Sequence, residues 1–245
     1  MSLEHIAATS FILIAAYFIR GITGFGSGLI AVPLLALFLP LTFVVPFMLL
    51  LDFTASIVIG GYNLKLMRVR EVLMLIPFGI VGVFAGTYLL VNLPQTPMLI
   101  ILALFIFVFA IRSLFYLHGN KIISAWWSIP ASLTGGTVAG LYGTGGPPYV
   151  IYLTHRIHNK SELRATLTAL FFTEGATRIA SFVLAGLLMS RDVWLAYVAA
   201  LPVVLGGLYL GSRVHPGISA SQMTRLVGIL LLVSSISLLI KAMHA

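Results

Sequence analysis

Cysteine is absent from all 245 residues, which removes disulfides, thiolate metal sites and thiol catalysis together. Charge is scarce as well: only 8% of the residues are Asp, Glu, Lys or Arg, and only six of them are acidic. A soluble domain of this size needs far more polar surface. The six histidines form no HExxH or comparable ligand pattern, so no metal and no other cofactor is expected. No βαβ context or Walker lysine accompanies the glycine-rich runs, so energy from ATP is not expected within this chain. No basic patch interleaved with aromatics occurs, which argues against nucleic acid as a partner. The N-terminus lacks a basic leader and a small-residue cleavage site, so its first apolar run is expected to remain as structure.

What the chain has instead is apolar length. It is 60% hydrophobic, with a mean hydropathy of +1.11, and apolar stretches of about 18 to 25 residues recur along it, the length that crosses a bilayer as a helix. A barrel would show short alternating strands. The class is therefore polytopic α-helical, with the lipid bilayer as solvent. The net charge of +8 comes from basic residues in short loops between spans, where the positive-inside rule explains them.

Two runs of helix breakers interrupt this pattern. Gly140-Leu141-Tyr142-Gly143-Thr144-Gly145-Gly146-Pro147-Pro148 lies inside a long apolar segment, and Gly21-Ile22-Thr23-Gly24-Phe25-Gly26-Ser27-Gly28 repeats its spacing, with Gly21, Gly24 and Gly26 falling where Gly140, Gly143 and Gly145 do. Glycine lets backbone approach a ligand, while Pro147 and Pro148 remove two amide donors and end any helix before them. Non-helical backbone at membrane depth is expected only where protein or a wet cavity surrounds it, which is how transporters hold substrate. The two runs read as facing halves of one substrate site.

The expected fold is all-α: two inverted repeats, each a glycine-tipped helical hairpin followed by three transmembrane helices. The first, 1–118, holds a hairpin over 3–39 and helices near 43–60, 72–91 and 98–117. The second, 119–245, holds a hairpin over 126–154 and helices near 163–188, 193–210 and 223–242. Pro77, Gly82 and Gly86 share their spacing with Pro202, Gly207 and Gly211, so each third element carries a small-xxx-small packing face. If each hairpin enters and returns on its own side, each half makes a net odd number of crossings and the second is inverted. Lys65, Arg68, Arg70, Arg112, Lys121, Arg156, Lys160, Arg164, Arg213 and Arg225 then share the cytoplasmic side, leaving Arg191 and Lys241 outside; a parallel arrangement scatters them over both faces. Hairpin legs of roughly 11 to 16 residues reach the middle of a 30 Å core at 1.5 Å per residue.

The run Arg20-Gly21-Ile22-Thr23-Gly24-Phe25-Gly26-Ser27-Gly28-Leu29-Ile30-Ala31-Val32-Pro33, the second run from Gly140 to Pro148, and Arg164-Ala165-Thr166-Leu167 at the opening of the next span resemble the sulfite exporter TauE/SafE family of bacterial and archaeal membrane permeases. With the repeat layout, the similarity covers essentially the full chain. It implies transport of small sulfur-containing or carboxylated anions such as sulfite, sulfoacetate or another organosulfonate.

Backbone amides at broken helix ends, with the positive ends of helix dipoles, bind anions without side-chain charge. The candidate substrate-binding residues are therefore Thr23, Gly24, Phe25, Gly26, Ser27 and Gly28 at the first tip, and Tyr142, Gly143, Thr144, Gly145, Gly146, Pro147 and Tyr149 at the second. The competing explanation is close helix packing, since Gly24 to Gly28 and Gly136 to Gly140 are GxxxG spacings; tandem prolines favour the site. Arg20 adjoins the first tip and Arg178 lies deep in a span, where an arginine costs roughly 2.5 to 3.5 kcal/mol and needs a partner or a wet cavity. Either guanidinium suits a sulfonate or carboxylate. Arg178 is equally well placed to pair with Glu174 one turn earlier, and Arg20 to snorkel from its leg. Asp52 and Glu174 occupy similar places in the two halves and are candidates for proton or ion coupling, or for capping and ion pairing. His155, His158 and His215 sit among loop cations, and Trp126, Trp127 and Trp194 at span ends as interfacial anchors.

The expected function is a secondary transporter or uniporter for a small anion, working by alternating access. An anion channel is the nearest rival. A membrane-embedded enzyme would have only Asp52 with Glu174 for acid–base chemistry, and a structural subunit gives no reason for paired breakers at mid-depth.

Overall fold

The computed structural model describes residues 3–23, 26–59, 64–114, 123–214 and 220–243. These residues form ten α-helices and no strand: α1 (Leu3–Thr23), α2 (Ser27–Leu35), α3 (Leu41–Ile59), α4 (Val69–Asn92), α5 (Gln95–Leu114), α6 (Ser128–Tyr142), α7 (Gly146–Arg156), α8 (Lys160–Leu184), α9 (Arg191–Val214) and α10 (Ala220–Met243). Among the described residues, six helices are long and apolar enough to cross a membrane: α1, α3, α4, α5, α8 and α9. The chain is a multi-pass membrane protein. With 9 and 11 residues, α2 and α7 span only about 14 and 17 Å, roughly half of a bilayer core.

The helices fall into two compact units that interleave along the chain: one takes residues 1–51, 93–117 and 191–245, the other 52–92 and 118–190. The units interleave because α4 packs on the hairpin of the second half and α9 on the hairpin of the first. In the first unit α9 lies against α1. A methyl group on Gly211 would strike the Phe18 carbonyl, one on Gly207 would come within 2.9 Å of the Ile14 carbonyl, and one on Gly21 within 2.5 Å of the Leu208 carbonyl. In the second unit α4 lies against α6, where Gly86 meets the Thr137 carbonyl, Gly82 the Leu133 carbonyl and Gly140 the Val83 carbonyl. The glycines matched by spacing touch partners matched by spacing. Backbone on backbone at this distance is what small residues allow between membrane helices.

Each hairpin closes at its mouth. In the first, His5 near the start of α1 stacks on Phe38 just beyond α2, ring centroids 5.4 Å apart. In the second, Arg156 at the end of α7 donates to the carbonyl of Ile123 ahead of α6 at 3.1 Å. The chain enters and leaves each hairpin at one end. Beside the second mouth, Arg68 Nε bonds Glu162 at 2.7 Å and its amide donates to Thr166 Oγ1 at 3.0 Å, so the loop before α4 and the start of α8 share that end of the unit.

In the second hairpin the legs have the expected 11 to 16 residues, with 15 in α6 and 11 in α7; in the first they do not, with 21 in α1 and 9 in α2. Gly21 and Gly140 continue their helices instead of breaking them. Their missing side chains make room for α9 and α4, which is the packing explanation, and it holds for Gly136 as well. The break of the second hairpin begins only at Gly143.

Candidate functional site

At the first tip α1 ends at Thr23, whose helix carries Arg20 in its last turn. Gly24 and Phe25 lie outside the described residues, as does the side chain of Thr23. Gly26 has φ 95°, a left-handed value that glycine adopts freely. Ser27 and Gly28 open α2 and are buried. Arg20 is 8% exposed; its Nη1 donates to Ser27 Oγ at 2.9 Å and its guanidinium lies 5.9 Å from the Tyr17 ring. It folds back across its own hairpin rather than reaching out to an interface.

The second tip is built from three helices. α6 ends at Tyr142, and Gly143, with φ 73°, donates its amide to the Ala139 carbonyl at 2.8 Å, closing the helix in the left-handed manner glycine permits. Thr144 follows, 6% exposed, its hydroxyl without a hydrogen-bond partner. Gly145 caps α7 and Gly146 begins it; with Pro147 and Pro148 next, the amides of Thr144, Gly145 and Gly146 are those the prolines leave to the break. Glycine is required at 145 by space alone: a Cβ there would meet the Gly135 carbonyl, the Ala139 methyl and, at 2.6 Å, Glu174 Oε1.

α8 supplies the charges. Glu174, Arg178 and Ser181 follow at i, i+4 and i+7, one face of a helix. Arg178 Nη1 makes a long contact of 3.5 Å to the Gly143 carbonyl, and its guanidinium sits 5.7 Å from the Phe182 ring. Ser181 is 2% exposed and its hydroxyl has no hydrogen-bond partner. Acid and base thus touch the same tip from successive turns of α8. Tyr149 packs deeper, its ring against Gly135 and its hydroxyl beside Gly79. A narrow crevice between α4, α7 and α8 runs past Gly79, Tyr149, Thr173, Glu174 and Thr177. Asp52 stands half-buried in the last turns of α3, its carbonyl accepting from Ser56 Oγ at 2.8 Å.

The sequence reading passed over Ser181 and Glu71. Glu71, 8% exposed in the first turn of α4, accepts from Arg156 Nη2 at 2.8 Å, Arg156 Nε at 3.0 Å and the Tyr152 hydroxyl at 2.7 Å. These bonds to Glu71 raise the Arg156 pKa above its ordinary value, and they staple the returning leg of the second hairpin to α4. An acid beside a basic loop looks solvated in sequence; its partner is 85 residues away. Among the described residues no group of His, Asp and Glu could hold a metal ion.

The family model described as "Sulfite exporter TauE/SafE" matches residues 9–238. The chain belongs to the TauE/SafE family. A relative from Comamonas testosteroni, "Probable inner membrane transporter protein TsaS", is 29% identical over 193 residues, 78% of this chain and 80% of the relative. No solved structure matches. The protein is a membrane transporter of the TauE/SafE family, and both glycine tips fall within the matched residues.

Proposed function

We propose that this TauE/SafE transporter moves a small sulfur oxyanion, organosulfonate or carboxylate across the inner membrane by alternating access, binding it at the break between α6 and α7. The observation that carries the reading is the buried, partnerless Thr144 hydroxyl in that break, with Arg178 one contact away at Gly143. A buried hydroxyl without a partner costs about 1 to 3 kcal/mol, and an anion supplies the missing acceptor. Thr144 and Ser181 donate, the amides around Gly145 add the positive end of α7, and Arg178 balances the charge. The first tip, with Arg20 bonded to Ser27, is the weaker anion site of the two.

A thermal-shift screen of purified protein against sulfite, sulfoacetate, thiosulfate and small carboxylates tests this. At least one is expected to raise the melting temperature, as a ligand that binds only the folded state must, and Arg178→Gln to abolish the shift. Silence across the panel defeats the reading. Reconstituted protein is expected to show saturable counterflow; flux that never saturates favours a channel.

The inverted arrangement of the halves belongs to the same reading and is supported by the basic loops that meet beside the second mouth. Because the chain has no cysteine, single Lys65→Cys and Arg191→Cys variants report sidedness directly. An impermeant maleimide is expected to label Arg191→Cys from outside and Lys65→Cys only after permeabilisation; equal labelling of both defeats the inversion.

A further inference from the structure

We propose that Glu174 is a built-in rival for the anion at the second tip, so that its protonation is coupled to anion transport and proton and anion cross together. The inference rests on the anion-transporter reading and deepens it. Glu174 is 9% exposed, and its Oε1 occupies the place a side chain on Gly145 would need. It therefore stands beside Gly145, at the positive end of α7 where the anion is proposed to bind. An ionised carboxylate there competes for the same positive helix end and repels a second negative charge. A protonated one does neither.

The charged and titratable groups that face this acid are few. On its own helix the charged neighbour is Arg178, whose charge Glu174 feels. From α7 the titratable group facing it is Tyr149. α4 brings Gly79, Ile76 and Val83 to the same crevice, and α6 brings Gly135 and Ala139 to Gly145, none of them charged. The last turns of α3 pack on α8 through Phe53, against Gly175 and Phe172, and carry Asp52 beside it. Glu174 and Asp52 are thus the two carboxyl groups of this face that the experiment must separate.

The cycle is then simple in its balance. Glu174 takes one proton from the side on which the anion enters, vacates the α7 N-terminus for the anion, and returns the proton on the far side once the anion has left. A monoanion carried this way moves no net charge. Binding of the two is linked: a bound proton raises the anion affinity by the factor by which a bound anion raises the proton affinity.

Full-length protein in proteoliposomes, with sulfoacetate as the probe, tests the coupling; its sulfonate and carboxylate both stay ionised from mildly acidic to mildly alkaline pH, so any slope belongs to the protein. Wild-type apparent affinity in counterflow is expected to fall as pH rises, by about tenfold per pH unit where one proton must precede each anion, and uptake is expected to acidify the lumen. Glu174→Gln is expected to flatten the pH dependence and abolish the lumenal acidification, while Asp52→Asn keeps the wild-type slope. A flat wild-type profile, or proton movement that survives in Glu174→Gln or vanishes only in Asp52→Asn, overturns the coupling. Absence of sulfoacetate counterflow at every pH removes the anion-transporter reading and the coupling with it, whereas counterflow without proton movement removes the coupling alone. Should Glu174→Gln not fold, infrared difference spectra of the wild type decide: sulfoacetate must convert a carboxylate band to a protonated carboxyl band, and no conversion sinks the proposal.

Discussion

The two hairpins share a glycine pattern and differ in what they do with it. Each outer leg spends the first glycine of the repeated run on packing, Gly21 against α9 and Gly140 against α4, at matched positions. Beyond that point they diverge. The first tip is spanned by its own arginine, with Arg20 bonded to Ser27. The second leaves the Thr144 hydroxyl without a partner and takes its acid and base from α8. One repeated device thus supplies a common scaffold, and the unshared residues around it decide which copy is chemically open. One matched pair underlines this: Gly26 at the first tip has φ 95°, and its spacing partner Gly145 at the second has φ −65°.

The shared part of the comparison should break with the largest effect. Gly86→Leu and Gly211→Leu each drive a side chain into a backbone carbonyl that cannot move away, of Thr137 and Phe18 respectively. Overpacking costs about 1 to 3 kcal/mol even where neighbours can shift, and more against backbone. Both variants are expected to lose monodisperse, folded protein to a similar degree in detergent size-exclusion runs. A normal yield for one and collapse for the other would show that the two helix pairs are not equivalent.

The unshared part separates at the tips. Gly145→Ala keeps an ordinary backbone angle, φ −65°, yet its methyl displaces Glu174 and presses on α6. A shift of about 1 Å at the site is enough to lower transport on the order of a hundredfold. Gly26→Ala meets open space but a left-handed backbone, at a cost of about 1 to 2 kcal/mol. It is expected to lower the melting temperature and to retain most counterflow. Equal loss of flux in both would make the tips functionally alike and remove the asymmetry argued above.

Much of this was legible in the sequence, and the rest was hidden for a physical reason. The spans, the tandem-proline break and the placement of Arg178 one turn after Glu174 follow from hydropathy, backbone chemistry and helical spacing, and the helices lie close to where those rules put them. What a glycine is for does not follow from its own neighbours. Gly21 and Gly145 look alike in their runs, yet one accommodates a neighbouring helix and the other a carboxylate. Likewise Asp52 and Glu174 look equivalent by position, and only tertiary contact puts Glu174 against a tip. Glu71 was missed for the same reason, since Arg156 is distant in sequence. Partners are the part of the site that a single chain read locally does not contain.

The smallest effects sharpen the comparison most. Ser27→Ala removes one acceptor of a charged donor, Arg20, in a buried place. Hydrogen bonds to charged groups contribute about 1.5 to 3 kcal/mol, so a clear fall in melting temperature is expected, with transport altered less. Thr144→Ala removes a hydroxyl that bonds nothing within the protein. Stability is expected to stay level or to rise slightly, because a buried polar group without a partner has been deleted. Counterflow affinity, by contrast, is expected to drop about tenfold, the worth of one hydrogen bond to an ionised ligand. Stability lost at the first tip and binding lost at the second is a crossed result that a purely structural role for both hairpins does not produce. If Thr144→Ala instead melts early and binds normally, its hydroxyl serves the fold and the second tip is no more open than the first.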